Sequence, residues 1–338
     1  MSTQAVWDGV DRLIDGARSP HDLRAHGLHL LAARRWRELG LDVPPRLVEA
    51  ERDASFIALA TPLVLGEIRA AYDGAILVVK GAEIATRYPD VALRPYGDID
   101  VIVDNADAAF EALLDAGFTT DAAPQREGFH HRPRLRSPRF PVPVEVHCRP
   151  SWLVGGVAPP FAELLEAAGT ARVEVDGILA PAASHHAVLA AAHSWSHEPL
   201  ARISQLLDAT LLLHECDRDE ASALASRWGV AKVWQITVET ADALFLARRE
   251  RPALRRPLRR LRRVEERTVV ESHIYRALGP FWALPPLRAL GSAAVMLSEA
   301  ARPEPGEGWR AKSARIWQAF RHARMGRSQH ERRIGFRR

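Results

Sequence analysis

The stretch KGAEIATRYPDVALRPYGDID, residues 80–100, decides how this chain is read. It is entered from an apolar run, Ala75 to Val79, and left through a second, Val101 to Val103. Two apolar runs flanking a short helical pattern read as strand, helix, strand. Asp98 and Asp100 stand at i and i+2 at the start of the second strand, so their carboxylates share one face. Two such charges repel unless something positive lies between them, and hard oxygen ligands favour magnesium. Alone, the pair would read as well as a turn before an edge strand. Its context argues otherwise. Gly81, at a strand-to-helix junction, offers backbone N–H groups suited to phosphate. Lys80 before it is one of three lysines (with Lys232 and Lys312) among 46 basic residues. A compact ammonium in an arginine-dominated chain differs in function from a guanidinium fork.

A third carboxylate is available. Pro141-Val-Pro-Val-Glu-Val-His147 alternates, placing Glu145 and His147 on one strand face and Val144 and Val146 on the other. If this strand lies beside the Asp98–Val103 strand, Glu145 joins the two aspartates. Three carboxylates holding two magnesium ions can activate a hydroxyl and stabilise a leaving pyrophosphate.

The order of apolar strand, Gly, helix, Asp-x-Asp strand and later strand carboxylate resembles the polymerase-beta-like nucleotidyltransferase superfamily. More narrowly, KGAEIATRYPD, Arg94-Pro-Tyr-Gly-Asp-Ile-Asp100 and Val144-Glu-Val-His147 resemble the bacterial uncharacterised nucleotidyltransferases. His193-Ser-Trp-Ser-His197 and Arg202-Ile-Ser-Gln-Leu-Leu-Asp208 fit that family's histidine-rich helix and following Asp-containing helix. The resemblance covers roughly residues 50 to 245. It implies an α+β fold: a polymerase-beta-like mixed sheet with N-terminal helices and a large C-terminal helical region. It also implies an enzyme that moves a nucleoside monophosphate from an NTP, ATP among them, to an acceptor hydroxyl, with two magnesium ions or manganese in their place. Asp98, Asp100 and Glu145 would hold the metals. Lys80, Gly81, Ala82, Arg94, His193 and His197 would meet the nucleotide. Ala82 departs from the superfamily, which usually has Ser or a second Gly there, and so removes one phosphate contact. A sensor or scaffold that kept the fold without catalysis is the alternative, as is a toxin-like or peptide-tailoring transferase with a macromolecular acceptor.

Composition is that of an ordinary globular protein, 47% hydrophobic and 26% charged. No apolar run reads as a membrane span. The N-terminus lacks a basic segment before an apolar one, so a cytoplasmic location without membrane contact is expected. Cys148 and Cys216 have no metal-ligand spacing. Charge is uneven: residues 248–267 carry ten Arg and three Glu, and residues 301–338 carry eleven basic and three acidic side chains. An acidic body with a basic C-terminal third suits RNA or another polyanion, or else inward pairing with the acidic body. The acceptor itself, small molecule, peptide or RNA, is not specified by any motif.

Three regions are expected: N-terminal helices over 1–72, a nucleotidyltransferase core over 73–180 and a C-terminal helical domain over 181–338. Helices are predicted at 5–14, 22–39, 45–72, 81–88 and 105–116, and strands near 75–80, 99–103, 127–136 and 142–148. A hairpin is predicted at 171–178. His186, His193 and His197 fall near one face of a helix starting about Ser184. Asp208, in an apolar helical run, needs a partner if buried, with a histidine or Arg87 as candidates. Arg87 reads more as a surface residue than Arg94 does.

Overall fold

The computed structural model describes residues 3–120, 131–153, 156–248, 251, 254–303 and 307–324. Four helices come first: α1 (Thr3–Asp15), α2 (Pro20–Ala25), α3 (His29–Glu38) and α4 (Pro45–Ala71). The central part holds β1 (Ile76–Val79), α5 (Gly81–Ala85), β2 (Ile99–Val103), α6 (Ala106–Asp115), β3 (Thr119–Thr120), β4 (Leu135–Arg136), β5 (Pro143–His147), α7 (Phe161–Glu166), β6 (Gly169–Thr170) and β7 (Leu179–Ala180). Helices α8 (Ala183–His197), α9 (Ile203–Leu213), α10 (Arg218–Arg227), α11 (Ala231–Phe245), α12 (Arg255–Arg262), α13 (Val269–Ala283), α14 (Pro286–Ala301) and α15 (Trp309–Arg324) follow.

The strands form one mixed sheet in the order β3-β4-β5-β2-β1-β7-β6, giving the α+β class. β1 pairs antiparallel with β2, and β2 pairs parallel with β5. Strand alternation sorts the side chains. Ile76, Val78, Ile99, Val101, Val144 and Val146 join a core with Val64, Leu65 and Ile68 of α4 and Leu113 of α6. Leu77, Val79 and Ile102 point the other way, into a larger core built by α1–α3 and α8–α11. Asp100, Glu145 and His147 alternate with the valines and therefore face this second, helical side.

Several predicted elements shift, each for a local reason. The helix expected over 22–39 is two helices, broken at Gly27. There φ is +71, and an added Cβ would lie 2.5 Å from Ser204 Oγ. The predicted 171–178 hairpin keeps its Gly177 turn, at φ +73, but its strands lie outside it, at 169–170 and 179–180. Of the strand predicted near 127–136, only 135–136 forms among the described residues; 127–130 lie outside them.

Among the described residues, helix α4 alone is long and apolar enough, by length and composition, to cross a bilayer, a test that a core helix also passes. It packs one face on the sheet and leaves Phe56, Leu59 and Leu63 exposed. Thr61 donates to the Ile57 carbonyl at 2.7 Å, one residue before the internal Pro62, and shares a second hydrogen bond with the Tyr96 hydroxyl at 3.2 Å. Four of the ten arginines of 248–267 form ion pairs with acids of the body or of α13: Arg248 with Asp242, Arg251 with Glu239, Arg260 with Glu271 and Arg267 with Glu198.

Candidate active site

Register brings the carboxylates together. Val79 stands opposite Asp100 on β1 and β2, and Asp100 stands beside Glu145 on β2 and β5. β1 stops at Val79 because Lys80 takes φ 56 and ψ −136, a conformation rare for a side chain with a Cβ. Gly81 follows at φ +25 and opens α5. The Lys80 N–H donates to His186 Nε2 of α8 at 3.1 Å, which secures this turn from the helical side. Burial, helped by Arg87, Arg94 and Lys80, lowers His186 to a pKa of about 3, so the ring is a neutral acceptor.

The turn returns Lys80 Nζ to Asp100 Oδ1 at 3.0 Å. The same oxygen accepts from His147 Nε2 at 2.8 Å, and His147 Nε2 is also 3.7 Å from Glu145 Oε2. Burial alone would raise the Asp100 carboxyl, but Lys80 and His147 outweigh it and hold the group well below the usual carboxylate range. Asp98 differs. Burial, then the charges of Asp100 and Glu145, push it up to about 6. Arg134 completes the cluster by donating to Glu145 Oε1 at 2.6 and 3.1 Å, and its Nη2 lies 3.4 Å from Asp98 Oδ2.

Asp100, Glu145 and His147 each present a ligand atom within 4.8 Å of the others, and Asp98 stands beside them. Two carboxylates and an imidazole gathered this closely fit a divalent cation. Lys80 and Arg134 supply the positive charge that such a cluster needs. The cluster opens on a cavity of about 540 Å³ whose wall includes Lys80, Gly81, Arg94, Tyr96, Asp98 and His193.

The remaining predicted residues fall in different places. Ala82 is buried within α5 and does not line this cavity, whereas Lys80 and Gly81 do. His197 ends α8, but its side chain lies outside the described residues. Arg94 reaches the cavity, yet its Nε and Nη2 donate to Asp208 at 3.0 and 2.8 Å, and its Nη1 to the Gly81 carbonyl at 3.2 Å. The Tyr88 hydroxyl also donates to Asp208, at 2.9 Å. The partners of Asp208 are therefore Arg94 and Tyr88, in place of Arg87 or a histidine. Arg87 is itself half-buried, bound to Glu83 and Glu215. Sequence reasoning placed His147 on the right strand face without assigning it to the site. It missed Arg134, whose two-residue neighbouring strand carries no periodicity.

The profile described as uncharacterised nucleotidyltransferase matches residues 21–246, about two thirds of the chain. The chain belongs to this family. Nucleotidyl transfer is thus its general reaction, and an NTP its donor. Among curated proteins, none matches the sequence. In this nucleotidyltransferase the matched span runs from α2 to the end of α11 and contains every carboxylate of the cluster. Helices α12 to α15 lie beyond it.

Proposed function

We propose that the protein transfers a nucleoside monophosphate from an NTP to an acceptor hydroxyl and releases pyrophosphate, with Asp98, Asp100 and Glu145 as the reacting centre. The observation that carries this is the register: Asp100 and Glu145 side by side on parallel strands, with Asp98 adjacent, at the floor of a cavity walled by Lys80 and Gly81. Asp98 and Asp100 would hold two magnesium ions, and Glu145 would share the one nearer the acceptor. When bound, such ions neutralise charge on the phosphates and lower the pKa of the attacking hydroxyl.

The chain's own residues supply the rest. Lys80, on a turn fixed by His186, turns from Asp100 toward the triphosphate when the donor arrives. His147 orients Asp100 through the 2.8 Å hydrogen bond, as an outer partner orients a ligand. Glu145 accepts the proton of the acceptor hydroxyl as its oxygen attacks the α-phosphorus and pyrophosphate leaves. Arg94 holds the Gly81 carbonyl and so sets the position of the phosphate turn.

The test is incubation of the purified protein with each α-labelled NTP, magnesium and cell lysate. Label should move to an acceptor, and its size class separates small molecule, protein and RNA. Undiminished transfer by an Asp98→Asn, Asp100→Asn variant would refute the assignment.

A further inference from the structure

Beyond Tyr96 and Gly97 a second cavity, of about 810 Å³, continues from the first. Tyr96, Gly97, His193, Arg202 and Gln205 belong to both walls, so the two meet beside the carboxylates. The second wall is assembled from distant segments: the α2–α3 junction, the loop before Asp98, the α8–α9 junction and the start of α13. Glu266, Arg267 and Arg276 on this wall lie outside the family-matched residues.

Its charges do not cancel. Glu266 is matched by His21 at 2.8 Å and Glu198 by Arg267 at 2.9 Å, with Arg276 a further 4.0 Å from Glu198. Arg24 and Arg202 line the cavity with no carboxylate partner among the described residues. Two buried polar atoms on the same wall, Gln205 Oε1 and His29 Nδ1, also have no hydrogen-bond partner among the described residues. Buried polar groups without partners are costly, so a cavity presenting them beside two unmatched guanidinium groups is built for a polar, anionic guest. Its volume suits a small molecule.

We propose that this second cavity is the acceptor site, and that it takes a small hydroxyl compound carrying a phosphate or carboxylate group, held by Arg24 and Arg202. The proposal rests on the nucleotidyl-transfer reading above. The acceptor oxygen forms its bond to the α-phosphorus while the bond to the bridging oxygen of pyrophosphate breaks. The hydroxyl proton passes to Glu145. The product is a phosphodiester that keeps the acceptor's anionic group on the arginines.

Calorimetric titration of the full-length protein with sn-glycerol 3-phosphate, D-glycerate and glycerol tests this without requiring turnover. At least one of the two anions should bind ten-fold or more tighter than glycerol, and the tighter one identifies the preferred head group. Arg24→Gln and Arg202→Gln should each weaken that anion about ten-fold, the scale of a hydrogen bond to a charged group. Arg52→Gln, exposed on α4, should leave it unchanged. Both arginines are exposed, and thermal melts verify that the variants fold. Anions binding no tighter than glycerol, or substitutions that change nothing, would overturn the proposal. A parallel titration with α,β-methylene-ATP and magnesium separates the two readings. Its failure beside Arg24-dependent anion binding leaves an anion site but removes the donor reading and the acceptor role that rests on it; its success with no anion preference removes the acceptor site alone. Label transferred only to RNA or protein, again without anion preference, also overturns it.

Discussion

Asp208→Asn tests whether the helical side holds the phosphate turn in place. Asp208 accepts three hydrogen bonds, two from Arg94 and one from Tyr88, and both ion-pair partners are nearly buried. Burial by itself would lower the Arg94 pKa, yet Asp208 raises it above the usual arginine value. Removing that carboxylate charge leaves a guanidinium buried without its counter-charge, which costs about 3–5 kcal/mol. With an unfolding entropy of about 2.1 cal/mol/K per residue, a chain of 338 residues has roughly 0.7 kcal/mol/K, so Tm should fall by about 4–7 °C. Tyr88→Phe, which deletes one hydrogen bond, should cost only about 1 kcal/mol, or 1–2 °C. Combining Asp208→Asn with Arg94→Met removes both charges and should recover most of the stability. It should not restore NTP affinity, because the contact between Arg94 and the Gly81 carbonyl is gone. Calorimetry, urea denaturation and nucleotide titration read the two effects separately. A loss below 1 kcal/mol for Asp208→Asn, or a double variant no more stable than the single one, would refute the reasoning.

Other outcomes follow from the same geometry. Gly27→Ala should destabilise by about 1–3 kcal/mol in urea, since Gly27 sits at φ +71 with Ser204 Oγ 2.5 Å from the added Cβ; an unchanged midpoint would count against it. His29 and His186 are lowered by burial to about 4 and about 3, so below the ordinary value near 6.5 the unfolded chain binds protons that the folded one refuses. Their contribution is therefore intact above pH 6.5 and is lost as pH falls, at about 1.4 kcal/mol per pH unit for each group. Urea midpoints at pH 7 and pH 5 should show the drop, and His29→Gln should lessen it. Arg134→Gln removes a half-exposed cation from Glu145 and Asp98, so manganese should bind up to about five-fold tighter by electron paramagnetic resonance; weaker binding would deny Arg134 its neutralising role.

How much of this was legible depended on how far apart in sequence the cooperating groups lie. β5 alternates over five residues and β2 is an apolar run of the same length broken only at Asp100, so the face carrying Asp100, Glu145 and His147 could be read by period 2. Strands β3, β4, β6 and β7 have two residues each, too few for any period. Arg134, beside β4, was invisible for that reason. Gly27 broke a helix because Ser204, 177 positions later, packs against it, a contact that no local propensity contains. The same holds for Arg94 and Asp208: sequence showed that a buried aspartate needs a cation but could not choose among 43 arginines.

The two halves of the site differ in the same way. The proposed donor half is carried by residues 80–100 and 143–147, elements adjacent in the sheet, whose spacing is visible in the sequence before folding is known. The second cavity is built where helix junctions converge, from side chains between His21 and Arg276 that share no periodicity. A metal cluster needs particular ligand types at particular spacing, so it leaves a pattern in the sequence. A cavity that recognises one small anion needs only that unmatched charge and unpartnered polar atoms meet in space. Arg24 and Arg202 look like ordinary surface arginines until folding places them around one void, where Glu198 and Glu266 are engaged by other partners and neither arginine has an ion pair among the described residues. In a chain with 46 basic residues, it is their place on one cavity wall, visible only in three dimensions, that marks these two out.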